Sequence, residues 1–360
     1  MHIVIDCRYE AASGIGRCIR EIVPRLLDYK EHRFTLIMPD APGEEFMQRC
    51  RGKAGIVHSS AGMYSLQAQL ELPRLIPECD IFWAMHYDAP LLPVKARKKM
   101  VTIHDVCHLA LKHEFALHKR LYAKAMLKAV GRCYDQIITD SEFSRREIER
   151  YVAPQASIGV VYIGVTSLRD IGGDAALPYP YLLCVGNVKP HKNISRLLEA
   201  YALFRSRTEK APRLLIVGKK DGFLTGVDNL EARLTELGVK DDCIFTGYVD
   251  DKTLAGLYKS AVGYVCPSLY EGFGLPPLEA MSYGTPVIAA RAASLPEVLG
   301  EGALYIDPYD TEDMAAAMAK LTEDASLRQS LSEKGLIQCS RYDWGRTAKE
   351  IMERMVGLIC

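Results

Sequence analysis

Two doubly wound α/β domains of Rossmann type, facing each other across a cleft, are the architecture this 360-residue sequence predicts. Three observations predict it. The length exceeds what one ordinary hydrophobic core organises and suits two domains. Short apolar runs alternate with amphipathic helical stretches through both halves, the rhythm of repeated βα units. The apolar runs are rich in Val, Ile and Leu without a clean in/out alternation, so they read as strands of parallel sheets buried on both faces.

In the first half the expected strands are 2–6, 34–39, 55–59, 81–85, 100–104, 136–140 and 158–163. Helices are clearest over 16–28, 117–131 and 144–151, the last opening with Ser144 and Glu147 at capping-box spacing. In the second half strands are expected at 181–186, 213–217, 243–248, 263–267, 286–290 and 303–306. Helices near 193–206, 228–237, 252–260, 277–283 and 312–322 alternate with them. Segment 166–180 breaks the rhythm; its Gly and Pro content without periodicity marks an interdomain linker. The expected division is therefore 1–168, 169–340 and a last helix, 344–357, within 341–360.

Composition narrows the function classes. The formal net charge is zero, which gives no whole-molecule field for nucleic acid. Residues 1–170 carry 24 Lys+Arg against 20 Asp+Glu, so the first half is mildly positive. None of the 11 cysteines forms a Cys-x-x-Cys pair, and Cys7, Cys184 and Cys266 sit in apolar runs, as small buried hydrophobes do in a reducing compartment. No window approaches the ~20 apolar residues of a membrane span, and the N-terminal apolar run is too short for a signal peptide. A cytoplasmic chain, at most peripheral on a membrane, is expected.

The stretch 266–286 carries most of the chemistry. A buried strand ends at Pro267, a loop with Gly272 and Gly274 follows, and Pro276 and Pro277 pre-set the first turn of a helix that Gly284 ends. Open α/β sheets bind ligands beyond the carboxyl ends of their strands, so this loop belongs at the cleft, with helix-terminal amides facing an anion. Glu271, in the loop, and Glu279, expected in the first helical turn, flank that anion site and suit hydroxyl groups. A helix dipole would explain Glu279 alone; it does not explain two glycines, two prolines and a loop carboxylate together.

The run from Glu271 through Gly-Phe-Gly-Leu-Pro-Pro-Leu to Glu279 resembles the Glu-x7-Glu signature of retaining GT-B glycosyltransferases of the group-1 type, family 4. The resemblance covers nearly the whole chain. It implies that Glu271 meets hydroxyls of the donor sugar, that Gly272 and the backbone of Phe273, Gly274 and Leu275 meet sugar and diphosphate, and that Glu279 holds the ribose. It likewise matches Lys192, in Cys184-Val-Gly-Asn-Val-Lys-Pro-His-Lys-Asn193, to the lysine that steadies the diphosphate as the glycosidic bond breaks. The family often has Arg where Asn187 stands, which shifts phosphate work toward Lys189 or Lys192.

In the first half, Gly14-Ile15-Gly16 resembles the family's glycine loop between first strand and first helix. His104-Asp105 resembles its His-Asp pair, whose His meets the donor sugar near the anomeric side. Ser141 and Ser144 resemble an element on the acceptor side. Gly218, Lys219, Tyr248 and Val249 follow strands against which the resemblance places the nucleobase. The catalytic set it implies is His104, Asp105, Lys192 and Glu271. No Asp-x-Asp appears and no His/Cys cluster has metal-ligand spacing, so neither metal nor cofactor is expected; the nucleotide diphosphate sugar is a substrate.

The resemblance also implies front-side attack by the acceptor hydroxyl, with a route through a covalent intermediate left open by the sequence, and the run around Lys192 resembles bacterial mannosyltransferases of surface-polysaccharide assembly, pointing to GDP-mannose. The expected acceptor is a saccharide or a lipid-linked oligosaccharide. Segment 112–128 interleaves basic and apolar residues at helical spacing, as a helix resting on an anionic membrane does. A surface helix packed by Leu121, Ala125 and Leu127 would read the same way. Rival readings are an epimerase or hydrolase acting on nucleotide sugars and a catalytically silent nucleotide-sugar binder. A dinucleotide dehydrogenase is disfavoured because Ile19 stands where Gly-x-Gly-x-x-Gly needs its third glycine.

Overall fold

The structure is a computed structural model and describes residues 1–166, 177–218 and 230–360. These form two compact units, Met1–Gly164 with Tyr342–Cys360, and Val165–Arg341. The first unit contains β1 (His2–Asp6), α1 (Gly14–Leu26), β2 (Arg33–Pro39), α2 (Glu44–Cys50), β3 (Gly55–Ser59), α3 (Leu66–Leu75) and β4 (Cys79–Ala84). It continues with β5 (Ala96–Thr102), α4 (Cys107–Ala110), α5 (Leu117–Cys133), β6 (Gln136–Thr139), α6 (Glu142–Tyr151) and β7 (Ser157–Val160). All its strand pairs are parallel, in the order β3-β2-β1-β4-β5-β6-β7.

The second unit holds β8 (Tyr181–Val185), α7 (Ile194–Arg207), β9 (Arg213–Val217), α8 (Leu230–Glu236), β10 (Cys243–Gly247), α9 (Asp251–Ser260) and β11 (Gly263–Cys266). Then come α10 (Leu275–Ser282), β12 (Val287–Ala290), α11 (Leu295–Leu299), β13 (Ala303–Ile306), α12 (Thr311–Glu323) and α13 (Ala325–Cys339). Its sheet is also parallel, in the order β10-β9-β8-β11-β12-β13. The central strands are buried on both faces, β11 and β12 at every residue, because helices cover both sides. Each sheet has a switch point where the chain order reverses: beside β1, between β2 and β4, and beside β8, between β9 and β11. Loops leaving those strands diverge and open the crevice in which such sheets take ligands.

The last helix, α14 (Trp344–Ile359), belongs to the first unit and packs on α1, burying Trp344, Ile351, Met352 and Met355. Thr347 Oγ1 donates to the Tyr162 carbonyl at 2.9 Å and Arg354 to the Val160 carbonyl at 3.1 Å.

Several expected elements shift. Helix α6 starts at Glu142 with Ser141 as its cap, its hydroxyl accepting from the Ser144 amide at 3.0 Å; the expected Ser144/Glu147 capping box is not formed. The α5 face is packed by Ala123, Met126, Leu127 and Val130, whereas Leu121 and Ala125 are exposed. Residues 167–176 of the expected linker, and 228–229 of the expected helix 228–237, lie outside the described residues.

Candidate functional site

At the switch point of the second unit, two loops meet. One leaves β8 through Gly186 and a short 3₁₀ turn, Pro190–Lys192; the other leaves β11 and runs to Gly274, the cap of α10. Lys192 Nζ donates to Glu271 Oε1 at 2.6 Å, with the side chains 18% and 13% exposed. The pair is mostly desolvated yet reaches the surface. Burial alone would raise the Glu271 carboxyl, but the adjacent Lys192 ammonium holds it below the usual carboxylate range. Burial would lower Lys192, and the Glu271 charge instead lifts it. Both stay ionised at neutral pH, which leaves an ammonium with spare donors and a carboxylate with spare lone pairs side by side.

Backbone contacts lock the two loops together. Leu269 N donates to the His191 carbonyl at 2.8 Å. Asn193, in the left-handed region at φ 58°, donates from Nδ2 to the carbonyls of Pro267 and Pro308 at 3.1 and 2.7 Å. Ser294 Oγ reaches the carbonyls of Glu271 and Phe273 at 2.8 and 2.9 Å. Gly274 has φ 104°, and a Cβ there would lie 2.8 Å from Leu295 Cδ2, so glycine is required to turn the chain into α10. Pro276 and Pro277 bring no N–H to the helix start, which leaves the amides of Gly274 and Leu275; neither has a hydrogen-bond partner among the described residues.

Helix α10 begins two residues before the expected start, so Glu279 sits one full turn inside it and not in its first turn. That weakens a helix-dipole role for Glu279. Tyr258 Oη donates to its Oε2 at 3.1 Å, and the half-buried carboxylate keeps acceptor capacity. Three glycines at the ends of β8, β9 and β10 crowd together. A Cβ on Gly218, at φ 148°, would fall on the Gly186 carbonyl, and Gly218 N donates to the Gly247 carbonyl at 2.9 Å. Beyond them Tyr248 is 77% exposed, with Val249 half-buried beside it, while Asn187 and Lys189 lie in the loop after Gly186. Lys219 lies outside the described residues.

In the first unit, His104 and Asp105 follow β5. His104 Nδ1 pairs with Asp140 Oδ2 at 2.6 Å, and its Nε2 is buried. Burial pulls the imidazole down, but Asp140 and Asp105 more than offset this and raise its pKa. Asp105 Oδ1 accepts from the Cys107 amide at 2.9 Å and so starts α4. Ser141 and Ser144 are fully buried, which removes the expected direct contact with an acceptor. Ser144 Oγ instead donates to the His104 carbonyl at 3.0 Å, strapping α6 to the His104 loop.

The glycine loop is also displaced. Gly14, Ile15 and Gly16 form the first turn of α1, and the connecting loop is residues 7–13. Gly16 lacks a side chain because the Glu10 carbonyl occupies that space; only Gly14 is open.

Sequence reasoning missed Asp140, Asn193, Tyr258 and Ser294. Asp140 stands at a strand end directly before Ser141, and Asn193 beside Lys192, so both had a positional signal. Tyr258 and Ser294 had none, because their partners are distant in sequence. Among the described residues there is no cluster of His, Cys, Asp and Glu that could hold a metal, and no helix long and apolar enough to cross a membrane.

The chain matches the family description "Glycosyltransferase Family 4" over residues 12–167 and "Glycosyl transferases group 1" over 174–337. It is 31% identical to O-antigen chain mannosyltransferase B of Escherichia coli, across 92% of this chain and 93% of that protein. It is 30% identical to O-antigen chain mannosyltransferase RfbU of Salmonella typhimurium, across 76% of this chain and 70% of that one. Anabaena Alr3699/HepE, solved with UDP and glucose, superposes with a TM-score of 0.72 at 18% identity, covering 99% of this chain and 100% of that chain.

Proposed function

Since the chain belongs to glycosyltransferase family 4 of the group-1 glycosyltransferases and has their GT-B fold, we propose that it transfers mannose from GDP-mannose, with retention, to a saccharide or lipid-linked oligosaccharide in bacterial surface-polysaccharide synthesis. The observation that carries this reading is the Lys192–Glu271 pair at 2.6 Å on the second unit's switch point, beside the unpartnered amides of Gly274 and Leu275. Cation and amides receive the diphosphate, and stabilising it as it departs favours an oxocarbenium-like transition state. Glu271 accepts hydroxyls of the donor sugar, and Glu279, steadied by Tyr258, accepts the ribose diol. The bases stack or hydrogen-bond along Gly218, Tyr248 and Val249.

No enzymic nucleophile is needed in this route. The acceptor hydroxyl attacks the anomeric carbon from the face the phosphate leaves, the C–O bond to phosphate breaks, and a phosphate oxygen takes the proton. Lys192 and the helix amides supply the charge stabilisation that a divalent metal would otherwise give, so activity should survive chelation. Mannose and a surface glycan are favoured by the two O-antigen mannosyltransferase relatives. Peripheral membrane contact through 112–128 is supported by Leu117 and Leu121, 63% and 58% exposed among lysines.

A thermal-shift panel of UDP, GDP, ADP and CDP, on wild type and Glu279→Ala, tests the donor. Stabilisation of wild type by GDP and its loss in the variant are expected. Stabilisation by UDP alone would replace the donor base. The anomeric configuration of the product, read by NMR, tests retention.

A further inference from the structure

The first unit's switch point has no ligand in the reading above, yet it is built as carefully as the second's. The loops leaving β1 and β4 carry Tyr9, His86, Tyr87 and Asp88, and the β3–α3 connection brings Tyr64 over them. Asp88 is 1% exposed and takes three donors: Tyr9 Oη, the Tyr64 backbone amide at 2.7 Å, and Tyr122 Oη at 2.9 Å. The Asp88 amide in turn donates to His86 Nδ1 at 3.1 Å. Nδ1 is thus the acceptor, so the neutral ring carries its proton on Nε2, which lies 3.5 Å from Tyr64 Oη. Burial, with repulsion from His104, His108 and Arg8, keeps His86 uncharged.

The residue this cluster serves is exposed. Tyr64 is 46% accessible and has φ 56°, a left-handed backbone that a bulky side chain adopts only under constraint. The constraint is visible: the Asp88 bond to its amide, and Ser65 Oγ donating to the Gly62 carbonyl at 2.8 Å. Its ring sits among Tyr9, His86, Tyr87 and Tyr122, with centroids 6.4, 5.6, 6.1 and 6.0 Å away. A buried carboxylate and a strained backbone are costly ways to hold a ring that is left half in water, and core packing requires neither.

We propose that Tyr64, locked by Asp88, is an aromatic platform for a pyranose ring of the acceptor. The C–H face of a sugar packs on an aromatic ring, and the phenol and imidazole groups at the rim match its hydroxyls. The saccharide class rests on the glycosyltransferase reading; the platform itself rests on the first unit's geometry.

The test uses the full chain with methyl α-mannoside and methyl mannobiosides as probes, read by saturation-transfer NMR, and GDP read separately by thermal shift. Wild type should show transfer to sugar ring protons. Tyr64→Ala should weaken sugar binding about tenfold or more, while Tyr64→Phe, which keeps the ring, stays within about threefold. Asp88→Asn should weaken it with the tyrosine still present. The GDP shift should be unchanged in all three. An unchanged sugar response in Tyr64→Ala, or none from any probe in wild type while GDP still stabilises, overturns the platform alone. Equal competition by an alkyl detergent without a sugar also overturns it, in favour of a lipid surface. Loss of the GDP response in wild type would instead strike the donor reading.

Discussion

Lys192 and Glu271 each neutralise the cost of the other's burial, so neither can be replaced without exposing that cost. Lys192→Ala leaves Glu271 mostly buried and unpaired, a loss of about 3–5 kcal/mol for a broken buried pair, and removes the cation proposed to meet the diphosphate. Chemical denaturation and transfer activity should both fall; intact activity in a folded Lys192→Ala would remove the lysine from the mechanism. The pH dependence has a definite sign. The folded Glu271 carboxyl lies below its unfolded value, so its contribution is present above about pH 4.3 and is lost as pH falls through the lower folded value. His104 runs the other way. Its folded value is raised, so its contribution is complete below about pH 6.5 and disappears as pH climbs through the folded value. Asp140→Asn removes the charge that holds the imidazolium 2.6 Å away. Histidine NMR should show the His104 pKa falling in that variant, and the alkaline limb of the pH–rate profile should move to lower pH. An unmoved profile would make Asp140 a packing residue only.

Turns and helix ends decide whether those side chains meet, and here glycine is needed for identifiable reasons. Gly218 and Gly274 both have positive φ and both face occupied space, the Gly186 carbonyl and Leu295. Substituting Ala at either should cost about 1–3 kcal/mol and weaken nucleotide binding, whereas Gly14→Ala, with nothing within 4 Å, should be tolerated in stability. Calorimetry on the three variants checks the order. Strands were legible because their apolar runs are continuous, and the Glu271–Glu279 loop was legible because its glycines and prolines are packed into one stretch. Helix α13 was not. Its buried residues are Leu331, Gly335, Gln338 and Cys339, all but Leu331 small or polar, with Gly335 lying against Met281 and Gln338 donating to the Val298 carbonyl at 2.7 Å. Such a face has no apolar period to read. Ser141 and Ser144 were legible as a helix start but not as buried anchors, because burial there depends on His104, about forty positions away in the chain. Helix α14 shows the same dependence on distant partners: Gly159 and Gly164 leave room for Arg354 and Trp344. Deleting 342–360 removes the burial of Trp344, Ile351, Met352 and Met355 and uncovers the α1 surface they pack on; each side chain is worth about 1.5–3 kcal/mol, a sum comparable to the whole stability of a domain.

Across the whole chain, each unit has its own sheet and its own buried core, so unfolding need not be a single two-state event. A ligand that binds one unit should then protect that unit first. The Lys192–Glu271 site, the glycine cluster and Glu279 all lie in Val165–Arg341, while α14 completes the other unit. GDP at a hundred times its dissociation constant adds about 2.7 kcal/mol to whatever unfolds with its site. For a unit of this size that corresponds to a rise in midpoint of about 5–10 °C. Hydrogen exchange followed by mass spectrometry separates the two units: GDP should slow exchange in β8, β11 and α10, and removal of 342–360 should speed exchange in β1 and α1. Equal protection of both sheets by GDP would mean that the units unfold as one. Protection confined to the first unit's sheet would place the nucleotide there, and the roles given to Lys192, Glu271 and Glu279 would have to be withdrawn.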